Sequence, residues 1–157
     1  MQWPVLVAFK LNWLAAFFWG EQAISFMLVG IAALMFFQVR HYQWAVLLPC
    51  SILAFVGVLL DLLLVQLGVL SFTSTNLPLF MMLLWCSFAL FLPTLASLPK
   101  PIMPIFVAVM GPVSYYLASL AEVFSLQPGV WLGLLILLPL WSVFAYLAQT
   151  LLEKRYA

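Results

Sequence analysis

Charge is what this sequence has least of: five Lys or Arg and four Asp or Glu, 6% of 157 residues. A soluble domain usually carries about 25% charged residues. A chain this short cannot hide the deficit, because a small domain leaves much of its area exposed. With 68% of its residues hydrophobic, the chain is expected to have lipid as its main solvent. A formal charge of +1 provides neither a nucleic-acid footprint nor an acidic tail. Histidine is nearly missing too. His41 stands alone beside Arg40, without a second His or Cys at ligand spacing. No Ser–His–acid set can be assembled near the buried acid discussed below, and no glycine-rich phosphate loop occurs. No catalytic residue, metal site or cofactor is therefore expected. Cys50 and Cys86 sit in apolar runs, far from any CxxC spacing, and read as small buried side chains without a disulfide. The N-terminus lacks an early basic cluster and a small-residue cleavage site, so it is not expected to be a signal peptide. No internal repeat is obvious.

What the sequence has in abundance is apolar runs. About 20 apolar residues are needed to cross roughly 30 Å of hydrocarbon at about 1.5 Å per residue. The runs cover 4–20, 22–39, 44–70, 77–98, 101–122 and 128–152, broken by "GEQ", "QVRHYQ", "SFTSTNLP", "SLPKP" and "SLQPG". They predict an all-α, polytopic transmembrane bundle of six spans forming one domain over 1–157, with the third span long and tilted. The first two are short, so a partly inserted first hairpin is left open. Arg40, Lys100, Lys154 and Arg155 fall in alternate loops and the tail, while the first, third and fifth loops have no Lys or Arg. The positive-inside rule then places both termini in the cytoplasm.

One acid stands inside a run: Asp61, in "GVLLDLLLVQLGVLSF" (57–72). At helical spacing it lines up with Cys50, Ala54, Gly57 and Gly68, a stripe of small residues on an otherwise bulky helix. Such stripes mark the protein-facing side of a membrane helix. Asp61 is therefore expected to face the bundle interior, where a carboxyl needs a proton, a partner or water. The fifth run carries its own stripe, Ala108, Gly111, Tyr115, Ala118 and Glu122. If both helices run outward, Tyr115 lies at the depth of Asp61, with Ser119 and Glu122 just above. Glu21, at the outer end of the first span, is expected to join them. The candidate binding set is Asp61, Tyr115, Ser119, Glu122 and Glu21, with Gly57, Gly68, Gly111 and Pro112 as packing positions. Lys10 is expected to snorkel to the inner face rather than reach Asp61. Pro93, Pro112 and Pro139 fall within spans and should bend them.

Three segments carry a resemblance: "VGVLLDLLLVQLGVLSF" (56–72), "LPLFMMLLWCSFALFL" (77–92) and "MGPVSYYLASLAEV" (110–123). In order and spacing they resemble the bacterial inner-membrane family catalogued as domain of unknown function 2878. The pattern there is an intramembrane Asp before G-x-x-x-F, a Pro then Leu-Trp run, and a Gly-Pro-x-x-Tyr helix. The resemblance covers most of the chain and implies a bacterial inner-membrane location with no established activity. This sequence departs in the fourth helix, where Pro93-Thr94 replaces an Asn-His-like pair, so no catalytic or metal role of that pair carries over. Members of that family often lie beside genes for fatty-acyl modification enzymes.

Two functions are expected to compete. The first is a non-enzymatic handler or transporter of a hydrophobic or small cationic solute, with its polar end at Asp61. The second is an accessory subunit on a larger membrane enzyme, one of lipid or fatty-acyl modification being the alternative in view. A cavity reaching Asp61 would favour the first. A sealed Asp61 with an open Gly/Ala face would favour the second. The expected partners are the lipid bilayer and either another membrane protein or a second copy of the chain, and no nucleic acid.

Overall fold

The computed structural model describes residues 2–74, 76–99 and 102–156, with side chains described through Glu153. Lys100 and the side chains of Lys154 and Arg155, three of the four basic positions behind the predicted orientation, lie outside the described residues.

Among the described residues, six α-helices account for nearly all of the regular structure. α1 (Trp3–Trp19) begins with a proline in its first turn, where the missing N–H costs nothing. It stops at Gly20, whose φ of +50° favours glycine. A 3-10 turn, Gly20–Ala23, leads into α2 (Ile24–Tyr42). The two pack as a helical hairpin: the Asn12 amide donates to the Met27 carbonyl at 3.1 Å. Gly30 makes the close approach possible, because a Cβ there would overlap the Asn12 side chain. A second 3-10 turn, Trp44–Val46, opens α3 (Leu47–Gln66). A two-residue strand β1 (Leu70–Ser71) follows, then α4 (Leu79–Ala96), α5 (Ile102–Leu120), strand β2 (Ser125–Leu126) and α6 (Val130–Tyr156).

Five helical stretches are long and apolar enough to cross a membrane: Trp3–Tyr42, Trp44–Gln66, Leu79–Ala96, Ile102–Leu120 and Val130–Glu153. The first contains both α1 and α2. Their lipid-compatible surface is plain in the exposed side chains, among them Phe18, Val29, Phe55, Ile105, Leu135 and Val143. These helices fit a membrane-embedded protein. The third apolar run is not helical to its end, however. α3 stops at Gln66, and 70–71 is strand rather than the last turn of a long span.

The chain divides into two compact units, 1–58 with 78–97, and 59–77 with 98–157. In the first, α4 packs against α1 and α2. Val5, Met27, Leu34, Leu53 and Leu92 are fully buried there. In the second, α5 lies along α6, and Leu64, Val107, Leu137, Phe144 and Ala148 form the core. Cys50 and Cys86 are free thiols.

Candidate functional site

The 3.6-residue period of α3 puts Cys50, Leu53, Gly57, Asp61 and Leu64 on one buried face. Asp61 is 0% exposed. The hydroxyl of Tyr115 on α5, itself buried, donates to a carboxylate oxygen of Asp61. A phenol hydrogen bond to a carboxylate is of the strong, charge-assisted kind and lowers the cost of enclosing the acid. Aromatic rings wall the pair. The Tyr115 ring lies 5.6 Å from Phe124 and 5.9 Å from Trp141, edge-on to the latter. Gly111, one turn before Tyr115, lets that tryptophan close down, since a Cβ would overlap its ring.

Matching helix ends bring Asp61 and Tyr115 level. α3 closes with Gly68 at φ +71°, the Val69 N–H donating to the Leu64 carbonyl at 2.8 Å and the Gly68 N–H to Val65 at 3.0 Å. α5 closes the same way. Glu122 has φ +59°, the Val123 N–H donates to Ala118 at 3.0 Å, and the Glu122 N–H donates to Ser119 at 3.2 Å. Both are left-handed caps of the Schellman type. Asp61 lies seven residues before one cap and Tyr115 seven before the other. Beyond the caps, β1 and β2 pair antiparallel with Leu70 opposite Leu126 and Ser71 opposite Ser125.

The two segments are thus a structural repeat. Asp61 and Tyr115 are 54 residues apart, and the same shift relates Gly68 to Glu122 and Ser71 to Ser125. It also relates Gly57 to Gly111, each lying under a tryptophan ring, Trp85 and Trp141 respectively. The pairing Leu70–Leu126 maps under the shift onto Phe124–Phe72, and those rings are in contact at 5.4 Å. Asp61 with Tyr115, and Ser71 with Ser125, each meet their own equivalent. Both pairs therefore lie on a local two-fold axis that relates 61–72 to 115–126.

The other expected members fall differently. Gly68 does not pack, and nothing lies within 4 Å of where its Cβ would be. It shares the α3 stripe only because cap and stripe spacing coincide. Glu122 is exposed at its cap and Ser119 is half-buried, so neither shares the enclosure of Asp61. Pro112 is buried within α5. Glu21, exposed, belongs to the other unit, where its carboxylate accepts the Leu79 N–H at 2.9 Å and caps the start of α4. Lys10 is exposed, with Nζ 5.6 Å above the Trp13 ring.

That same unit holds polar contacts that the sequence reading did not single out. Asn12 Nδ2 also donates to Ser87 Oγ at 2.9 Å. Gln38 Nε2 donates to the Leu90 carbonyl and to Thr94 Oγ1. The Tyr42 hydroxyl donates to the Pro93 carbonyl at 3.2 Å. The available signal was the one that drew attention to Asp61, a strongly polar side chain in mid-run.

A helical bundle of membrane-spanning proportions, enclosing a carboxyl–phenol pair, is the class of protein these features define. The chain belongs to the family described as "Protein of unknown function (DUF2878)", whose model matches residues 2–147. That agrees with the three motifs around Asp61, Trp85 and Tyr115. No curated protein and no solved structure matches the chain.

Proposed function

We propose that this is a non-enzymatic protein of the bacterial inner membrane that handles or moves a hydrophobic or small cationic solute, with Asp61 as its polar group. The observation that carries the reading is the enclosed Asp61 carboxyl, held by Tyr115 on a local two-fold axis. An acid inside an apolar bundle is costly, and such residues commonly serve ion or substrate pathways. In transporters built from parallel repeats, sites lie at the repeat interface, which is where Asp61 and Tyr115 meet. Full enclosure of Asp61 also supports a second reading, an accessory subunit in which the pair only fixes packing. Against it, the small residues that such a subunit would offer to a partner are filled from within: Gly57 by Trp85, Gly111 by Trp141 and Gly30 by Asn12.

Six crossings with both termini cytoplasmic complete the proposal, motivated by Arg40, Lys100, Lys154 and Arg155 in alternate loops. Alkaline phosphatase fused after Tyr156 should be inactive, and fused within 73–76 it should be active. The reverse pattern overturns the orientation. For the site, the protein is purified in mild detergent and co-purifying lipid and small molecules are identified by native mass spectrometry. Asp61→Asn, which keeps a hydrogen-bonding partner for Tyr115, should purify normally and lose the bound species. If Asp61→Asn retains everything the parent carries, Asp61 is a packing residue and the accessory reading stands.

A further inference from the structure

We infer that Gln38 holds a buried water molecule beside Pro93 of α4, a second polar site separate from Asp61. Gln38 is 0% exposed. Both hydrogens of its amide are committed, one to the Leu90 carbonyl and one to Thr94 Oγ1. Reversing the amide would set its oxygen against the Leu90 oxygen, acceptor to acceptor, so the orientation is fixed. The carbonyl oxygen, Gln38 Oε1, has no hydrogen-bond partner among the described residues. Nearby hydroxyl protons are already spent on backbone carbonyls: Tyr42 on Pro93, Ser97 on Thr94, and Ser87 on Leu83. No described donor reaches Gln38 Oε1, neither the Thr94 hydroxyl nor the Gln2 amide, itself buried and without a partner.

Pro93 also alters the backbone of α4 beside this amide. Pro93 has no N–H, so the Ala89 carbonyl, four residues back and buried, lacks the donor a regular helix would give it. A buried acceptor without a donor, next to a carbonyl that has lost its helical N–H, calls for a small neutral donor. Water is that ligand, and buried waters commonly serve polar groups left over in this way. Asn12 provides an internal contrast. Its amide hydrogens are likewise spent, on Met27 and Ser87, and Oδ1 has no conventional partner. But Oδ1 occupies the space that a side chain at Gly30 would take. Pressed against the Gly30 Cα–H, it makes the weak contact common where helices meet closely.

The test uses the full chain in hydrated lipid bilayers, with glutamine and asparagine side-chain amides labelled with 15N, and magnetisation transferred from water by solid-state NMR. The Gln38 signal is assigned by its loss in Gln38→Met, and the Asn12 signal by its loss in Asn12→Leu. Transfer to the Gln38 amide should build up several-fold faster than transfer to the Asn12 amide. Pro93→Ala, which returns an N–H to the Ala89 carbonyl, should slow the Gln38 build-up toward the Asn12 rate. Equal rates for Gln38 and Asn12 in the parent chain would overturn the inference, as would a Gln38 rate unchanged by Pro93→Ala.

Discussion

In α3 the residue seven before the left-handed cap is Asp61, and in α5 it is Tyr115. At the cap itself α3 has Gly68 where α5 has Glu122. The left-handed cap, the glycine under a tryptophan and the serine in the strand recur in 57–72 and 111–126. What differs is the chemistry placed on that frame. One copy supplies an acceptor and the other a donor, so the repeat brings complementary groups together on its own axis. A duplicate with two acids there would repel, and one with two phenols would have no carboxylate to receive a proton. The comparison teaches that divergence between the copies, rather than either copy alone, makes the site.

The largest expected effect comes from breaking that complementarity. Tyr115→Phe leaves an enclosed carboxyl without its phenol donor and should cost about 1.5–3 kcal/mol, the range for hydrogen bonds to charged groups. The measurement is denaturant unfolding in detergent. Exchanging the partners sharpens the point: Asp61→Tyr combined with Tyr115→Asp should be more stable than the sum of the single changes by about 1–3 kcal/mol. A strictly additive double variant would show that the two positions are not equivalent.

Next come the glycines. Gly57→Ala and Gly111→Ala each force a Cβ into a tryptophan ring and should each cost about 1–3 kcal/mol, as overpacking does. Similar losses at the two positions would support the repeat. A loss at Gly111 alone would confine close packing to α5 and α6. The caps give the smallest effect, and one of opposite sign. Gly68→Ala places a Cβ in the left-handed region and should destabilise by about 1 kcal/mol, whereas Glu122→Gly relieves the same strain and should stabilise by about 0.5–1 kcal/mol. If Glu122→Gly also leaves solute binding intact, Glu122 has no part in the site.

The buried face of α3 was legible because helical period and residue size agree there. Small residues at 50, 54 and 57 mark the side that Asp61 shares. The level match with Tyr115 followed from rise per residue and a shared direction. Gly68 looks like a packing glycine in the sequence because a cap five, three and two turns beyond Cys50, Gly57 and Asp61 falls on the same spacing. The strands were not legible, since two residues carry no period. The repeat escaped notice because its positions keep little in common beyond Gly57/Gly111, Leu63/Leu117, Val69/Val123 and Ser71/Ser125. Backbone turns and ring-over-glycine packing need few identities to persist. Gln38 was passed over because an uncharged amide raises less alarm in an apolar run than a carboxylate, although the same question of partners applies to it.

The pairing of β1 with β2 has a mechanical meaning. It ties the ends of α3 and α5 at Ser71 and Ser125, ten residues beyond Asp61 and Tyr115. Two segments clipped at matching residues cannot slide past one another. The ten residues on each side therefore keep carboxyl and phenol in register even when the hydrogen bond between them breaks.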